Sequence, residues 1–65
     1  MAEIVTLNYH NVHEAASDDI LCFDGIYAEI VSDRSFPEGI KCSDMSLYYI
    51  IDHYHNVRLI KRGTQ

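Results

Sequence analysis

The sequence has no tryptophan, one proline and three glycines among its 65 residues. Disordered chains are typically rich in proline and polar residues, so this composition, with 48% hydrophobic residues, predicts a folded chain. Cysteine is also scarce, since Cys22 and Cys42 are the two in the chain. They are too few for the disulfide framework of a small secreted domain, and we expect both thiols to be reduced.

The chain also lacks a long apolar run. No stretch approaches the roughly 20 residues that a membrane-spanning helix needs. The opening residues, MAEIVTLN, show neither the basic nor the apolar region of a signal peptide. These features predict a soluble cytoplasmic protein. At 65 residues we expect a single small domain, residues 1–65, with a thin core.

Basic residues are missing from the first half of the sequence. Seven acidic residues precede the first basic one, Arg34, and the formal net charge is -5. Nucleic-acid affinity depends on Lys and Arg that neutralise phosphates, so direct binding to nucleic acid is disfavoured. A field of this sign favours a protein partner with a basic surface. The candidate carboxylates are Asp18, Asp19, Asp24, Glu29 and Asp33.

The clearest local pattern is ILCFDGIYAEIV at residues 20–31. Asp24-Gly25 lies between two runs of branched and aromatic residues, which predicts a β-hairpin with a type I′ turn. In the second arm, Tyr27, Glu29 and Val31 alternate with the isoleucine face, so Glu29 is expected to point outward. The opening EIVTLNY predicts a first strand, residues 57–62 predict a last strand, and FPEG at 36–39 predicts a tight turn.

Residues 43–62 are compatible with two arrangements that share the last strand. Ser43 is a candidate cap for a helix at about 44–54, because Leu47, Ile50, Ile51 and Tyr54 have helical spacing. The β-forming run YYII favours strands instead, and we favour two strands over a helix followed by a strand. The predicted fold is therefore mainly β, a small antiparallel sheet or SH3-like barrel of about five short strands. The alternative is an α+β sheet with one helix.

The tetrapeptide YHNV occurs at residues 9–12 and again at 54–57, but the flanking residues differ, which argues against a duplication. If the first and last strands pair antiparallel, His10 and His55 become neighbours. Four histidines in two clusters, alone or with the cysteines, would be candidate zinc ligands, although no zinc-binding motif is present. These residues are His10, His13, His53 and His55.

Catalysis is not expected, since the chain has no glycine-rich phosphate loop and no established catalytic motif. Cys22 lies in an apolar strand and is interpreted as a small core residue. Tyr48, Tyr49 and Tyr54 cannot all face one core, and exposed tyrosines are typical of protein interfaces. An exposed edge strand with aromatic residues would also permit a homodimer.

The sequence therefore predicts a small, acidic, non-catalytic protein-binding module without a cofactor. Its concrete form is an inhibitor or regulator that occupies the basic, nucleic-acid-handling surface of a partner, and by size and charge it resembles phage or mobile-element accessory proteins. The alternative is a zinc-stabilised structural or regulatory module that uses the clustered His and Cys. A nucleic-acid binder that uses Arg58, Lys61 and Arg62 is the least favoured.

Overall fold

A computed structural model of the chain describes residues 3–62. Within this range the chain forms five β-strands, a single turn of 3-10 helix at Val12–Glu14 and one short α-helix. The strands are β1 (Glu3–Thr6), β2 (Ile20–Phe23), β3 (Ile26–Ser32), β4 (Ile40–Cys42) and β5 (Arg58–Lys61), and the helix is α1 (Leu47–His53). The prediction of a mainly β fold with about five short strands is confirmed.

The strands form one antiparallel sheet in the order β1-β5-β2-β3-β4. The sheet is open among the described residues, with β1 and β4 at its two edges, so it is not a closed barrel. β1 pairs with β5 from Glu3 opposite Lys61 to Thr6 opposite Arg58. The first and last strands are thus neighbours, as the pairing hypothesis for the YHNV segments required.

The β2–β3 hairpin forms as the sequence predicts. Phe23 pairs with Ile26, which leaves Asp24 and Gly25 as a two-residue loop. Both loop residues have positive φ, 52° and 74°, as a type I′ turn requires. The FPEG turn is also present, since the N–H of Gly39 donates to the carbonyl of Phe36 at 2.9 Å.

The strand predicted around the YYII run is wrong, because Leu47–His53 is helical, whereas the last strand predicted at 57–62 is present as β5. The helix begins after Ser46, not Ser43, since Ser43 and Asp44 have positive φ values and form a tight turn between Cys42 and Met45. The remaining strand is β4, which has three residues and is too short to show a period-two pattern. Burial of Leu47 and Ile50 stabilises a helix that would not persist in isolation.

The core lies on one side of the sheet, called here the inner face. Alternate strand residues, including Leu21, Phe23, Ile30 and Leu59, are buried there and pack with α1 and with the long β1–β2 connection. Cys42 is also part of this core. Cys22 faces the opposite side and is half-buried, so its interpretation as a core residue is wrong. Both thiols are free.

Candidate protein-binding face

On the side of the sheet opposite the core, the described strand side chains are exposed or half-buried and none belongs to the core cluster, so the core does not cover this side. The strand register arranges its side chains in two rows across β1, β5, β2 and β3. Side chains in each row stand next to one another because paired residues on neighbouring strands project to the same side. The outer face is defined as Ile4, Ile60, Ile20 and Glu29 in the first row and Thr6, Arg58, Cys22 and Tyr27 in the second.

The first row is apolar over three consecutive strands. Ile4 is 63% exposed, and Ile60 and Ile20 are half-buried beside it. Tyr27, at the end of the second row, is 70% exposed. Large apolar side chains that share one uncovered face are typical of an interaction surface rather than of scattered surface residues.

The second row is linked by its polar groups. A hydrogen bond with the Cys22 side chain, reinforced by charge interaction there, raises the pKa of Tyr27, and the nearby guanidinium of Arg58 opposes this shift. These effects agree with the register, which places Cys22 between Arg58 and Tyr27. The outer face therefore contains one cation, one thiol and one phenol next to the isoleucines.

Three of the five predicted carboxylates lie on or beside the outer face. Glu29 ends the isoleucine row next to Ile20. Asp18 is exposed and lies two residues before β2, where its N–H donates to the carbonyl of Ile30 at 3.0 Å. Asp24 is exposed in the hairpin turn. The three groups thus border the β2–β3 half of the outer face.

Asp19 has a different role, because 1% of its surface is exposed. Its Oδ2 accepts a hydrogen bond from the N–H of Ala16 at 3.2 Å and lies 3.1 Å from Lys61 Nζ, while its Oδ1 accepts from the N–H of Arg62 at 3.0 Å. The carboxylate satisfies polar groups inside the fold. Asp19 therefore does not belong to an exposed partner-binding surface, which corrects the assignment made from sequence.

Asp33 is also engaged within the chain. It accepts hydrogen bonds from the backbone and hydroxyl of Ser35 and lies 3.1 Å from Lys41 Nζ. The Ser35 side chain, the Ser35 backbone and Lys41 together lower the pKa of Asp33 from 3.8 to about 2. The carboxylate lies at the β4 edge of the sheet, where it is half-buried and paired, so it is less available to a partner than the exposed Glu29.

The predicted tyrosine anchors belong to the helical side of the molecule. Tyr48 stacks on Tyr9 with ring centroids 5.5 Å apart, and the Tyr9 hydroxyl donates to Asp52. Tyr49 stacks on His53 at 4.0 Å. Tyr48 and Tyr49 belong to α1, whose buried side packs against the inner face. They therefore do not share a surface with the carboxylates beside the outer face.

Tyr54 is half-buried and packs its ring against Phe23 at 4.8 Å between centroids. It therefore contributes to the edge of the core. The tyrosine that the register places on the outer face with Glu29 is Tyr27, which the sequence-based assignment missed. The alternation that placed Glu29 outward also placed Tyr27 on the same face, two residues away, and was sufficient to find it.

A groove of about 610 Å³ adjoins the second row at the turn end of the hairpin. It lies between the Asp24-Gly25 turn and the segment that connects α1 to β5, and it shares Cys22 and Arg58 with the outer face. His53 and His55 both line it, but His10 does not. The residues around it are Cys22, Asp24, Gly25, His53, Tyr54, His55, Asn56 and Arg58.

The four histidines are exposed, at His10, His13, His53 and His55. His53 Nδ1 lies 3.0 Å from the carbonyl of Tyr49, within its own helix. In residues 3–62 no three side chains of the His, Cys, Asp or Glu type are grouped so that they could hold a metal ion. The zinc hypothesis stays a prediction without support from this arrangement.

No protein-family model, curated protein or solved structure matches the chain. No helix in the described range is both long enough and apolar enough to cross a membrane.

Proposed function

We propose that this chain is a small, non-catalytic protein-binding module that recognises a basic surface on another protein. The observation that carries the proposal is the imbalance of charged groups at the surface. Among residues 3–62, seven carboxylate side chains are exposed, compared with three cationic side chains. The carboxylates are Glu3, Glu14, Asp18, Asp24, Glu29, Asp44 and Asp52, and the cations are Arg34, Arg58 and Arg62.

The two lysines do not add to the exposed cations, because both are half-buried and paired with carboxylates of the fold. Lys61 pairs with buried Asp19, and Lys41 lies 3.1 Å from Asp33 and 2.8 Å from Asp44. An acidic surface attracts basic partners during diffusion and repels nucleic-acid phosphates. Use of Lys61 in a nucleic-acid interface would require loss of its pairing with Asp19.

In its concrete form, the module is a cytoplasmic inhibitor or regulator, of the kind found among phage or mobile-element accessory proteins. It would occupy the surface with which its partner holds nucleic acid, since such surfaces are rich in Lys and Arg. The acidic module and the nucleic acid would then compete for the same cations.

Affinity capture at two salt concentrations tests this proposal. The tagged protein is incubated with cell lysate at about 0.05 M and about 0.5 M NaCl, and captured proteins are identified by mass spectrometry. We expect basic proteins that are retained at low salt and released at high salt. A variant with Glu14→Gln, Asp18→Asn and Glu29→Gln should capture less of them, because these three exposed carboxylates form no ion pair within residues 3–62.

Fluorescence anisotropy with labelled single- and double-stranded oligonucleotides is the matched experiment for nucleic acid. We expect no binding by the wild-type chain at physiological salt. Oligonucleotide binding that is lost on Arg58→Gln, or capture of acidic proteins that is insensitive to salt, would contradict the proposal.

A further inference from the structure

We infer that the partner docks on the outer face, and that its docking surface is an apolar centre surrounded by Lys and Arg side chains. This inference rests on the proposed function and specifies where the partner binds. A partner of this kind makes both apolar and ionic contacts, unlike a partner that recognises negative charge alone.

The isoleucine row supplies an apolar centre. Neighbouring strands are about 4.8 Å apart, so Ile4, Ile60 and Ile20 form a strip about 10 Å long. The second row lies two residues along the strands, about 6.6 Å away, and ends in the highly exposed Tyr27. Apolar contact at the centre of an interface, with polar groups at its rim, is the usual arrangement in stable complexes.

The carboxylates determine the chemistry of the rim. Asp18 and Glu29 border the isoleucine row, and Asp24 borders the second row, so positively charged side chains on a partner have three acceptors near the apolar strip. A second copy of this chain would bring the same net charge of -5 to the contact. Charge complementarity therefore favours a basic partner over self-association.

Arg58 allows a test of whether the partner's docking surface is positively or negatively charged. It is the one cation of the two rows, between Thr6 and Cys22. Lys41, which the register places on the same side of the sheet in β4, is paired with Asp33 and Asp44. A basic partner must approach the Arg58 guanidinium, so its removal should strengthen binding. A nucleic acid or an acidic protein would instead need Arg58, and its removal would weaken binding.

The experiment uses two synthetic peptides of equal positive charge, an amphipathic one composed of Lys and Leu and an oligolysine. Binding of each to the full chain is measured by calorimetry, and the contacted residues are identified from amide chemical shifts. We expect the amphipathic peptide to bind about tenfold more tightly, because the isoleucine strip buries its leucines. The shift changes should concentrate in β1, β2 and β5.

A pair of variants tests whether the outer face carries this difference. Ile4→Ser with Tyr27→Ser should weaken the amphipathic peptide about tenfold, with little effect on the fold because both side chains are mostly exposed. The matched control, Ile26→Ser with Tyr49→Ser, removes the same two residue types at exposed positions outside the outer face and should change affinity less than about twofold. Arg58→Gln should increase affinity for both peptides. Circular dichroism verifies that each variant is folded.

Several outcomes would overturn the inference while the proposed function stands. One is equal affinity for the two peptides. Another is a loss of affinity in the control variant equal to that in Ile4→Ser with Tyr27→Ser. A third is the capture of basic proteins whose binding is unchanged by Ile4→Ser with Tyr27→Ser. Weaker peptide binding on Arg58→Gln would also overturn it. A dimer in light scattering that Ile4→Ser with Tyr27→Ser dissociates would identify a second copy as the occupant. Failure of both peptides and of lysate capture would reject the inference and the proposed function together.

Discussion

The side chain of Asp19 connects parts of the chain that are distant in sequence. Its two carboxylate oxygens contact Ala16 in the β1–β2 connection and Lys61 and Arg62 at the end of β5. Its own backbone continues the β2–β3 ladder, since the N–H of Ile30 donates to the Asp19 carbonyl at 2.9 Å. A buried carboxylate is tolerated there because surrounding donors replace the water it loses.

Replacement of Asp19 by Asn should therefore destabilise the fold. The substitution removes the charge that Lys61 pairs with and presents an amide nitrogen where one of the donors now binds. We expect a loss of about 2–4 kcal/mol in the free energy of unfolding, measured by urea denaturation. Asp18→Asn is the matched control, since Asp18 is exposed, and it should change stability by less than about 0.5 kcal/mol. Equal effects at the two positions would contradict this role for Asp19.

The Asp33 carboxyl makes the free energy of unfolding depend on pH in a direction that its pKa determines. Its pKa is lowered from 3.8 to about 2, first by the Ser35 hydroxyl, then by the Ser35 backbone and Lys41. A lowered pKa in the folded state stabilises the fold above pH 3.8, and this contribution is lost as the pH falls toward 2. Ser35→Ala should raise the pKa toward its ordinary value, which NMR titration of the Asp33 side chain measures. Ser17→Ala, at another exposed serine, should leave it unchanged.

At the scale of elements, α1 depends on its cap and its buried side. The Ser46 hydroxyl accepts a hydrogen bond from the N–H of Tyr49 at 3.1 Å. Side-chain caps of this kind satisfy a backbone donor that the first helical turn leaves unpaired. Tertiary burial of Leu47 and Ile50 then selects the helix over the strand that the YYII run favours.

The two serines before α1 provide a direct test of where the helix begins. Ser46→Ala should reduce the free energy of unfolding by about 1 kcal/mol, because it removes the cap. Ser43→Ala should cost less than about 0.5 kcal/mol, since Ser43 lies in the preceding turn and caps no helix. Thermal and urea denaturation of both variants measure the difference. A larger effect at Ser43 would favour the longer helix predicted from the sequence.

At the scale of the whole molecule, unbalanced negative charge works against folding. The exposed carboxylates outnumber the exposed cations among the described residues, and the longest dimension of the molecule is 31 Å. At about 0.01 M salt the Debye length is about 30 Å, so repulsion extends across the entire protein, whereas at about 0.1 M it falls to about 10 Å. The self-repulsion is therefore largely screened at moderate salt.

Added salt should accordingly stabilise this protein. Between about 0.01 M and about 0.1 M NaCl we expect the melting temperature to rise by a few degrees, measured by circular dichroism. The variant with Glu14→Gln, Asp18→Asn and Glu29→Gln should show a smaller rise, because it has less charge to screen. A melting temperature that falls with salt would mean that the pairs Asp19–Lys61 and Asp33–Lys41 outweigh the repulsion.

The features that the sequence predicted correctly depend on neighbouring residues. The Asp24-Gly25 turn and the outward direction of Glu29 follow from turn chemistry and period-two alternation. The same alternation also predicts that Tyr27 lies on the same face as Glu29. The residues that prediction misplaced, Asp19 and Cys22, differ from their neighbours in burial, which the local pattern does not reveal.

The sequence by itself determined the hairpin turn, the mainly β character and the acidic excess, because these follow from residue type, spacing and charge. Tertiary structure decided which groups became available. It buried Asp19 against Lys61, made residues 47–53 helical by covering Leu47 and Ile50, and left Ile4, Ile60 and Ile20 aligned on an uncovered face. Burial of a given side chain and pairing between strands that are distant in sequence depend on contacts between distant segments, so the local pattern does not specify them.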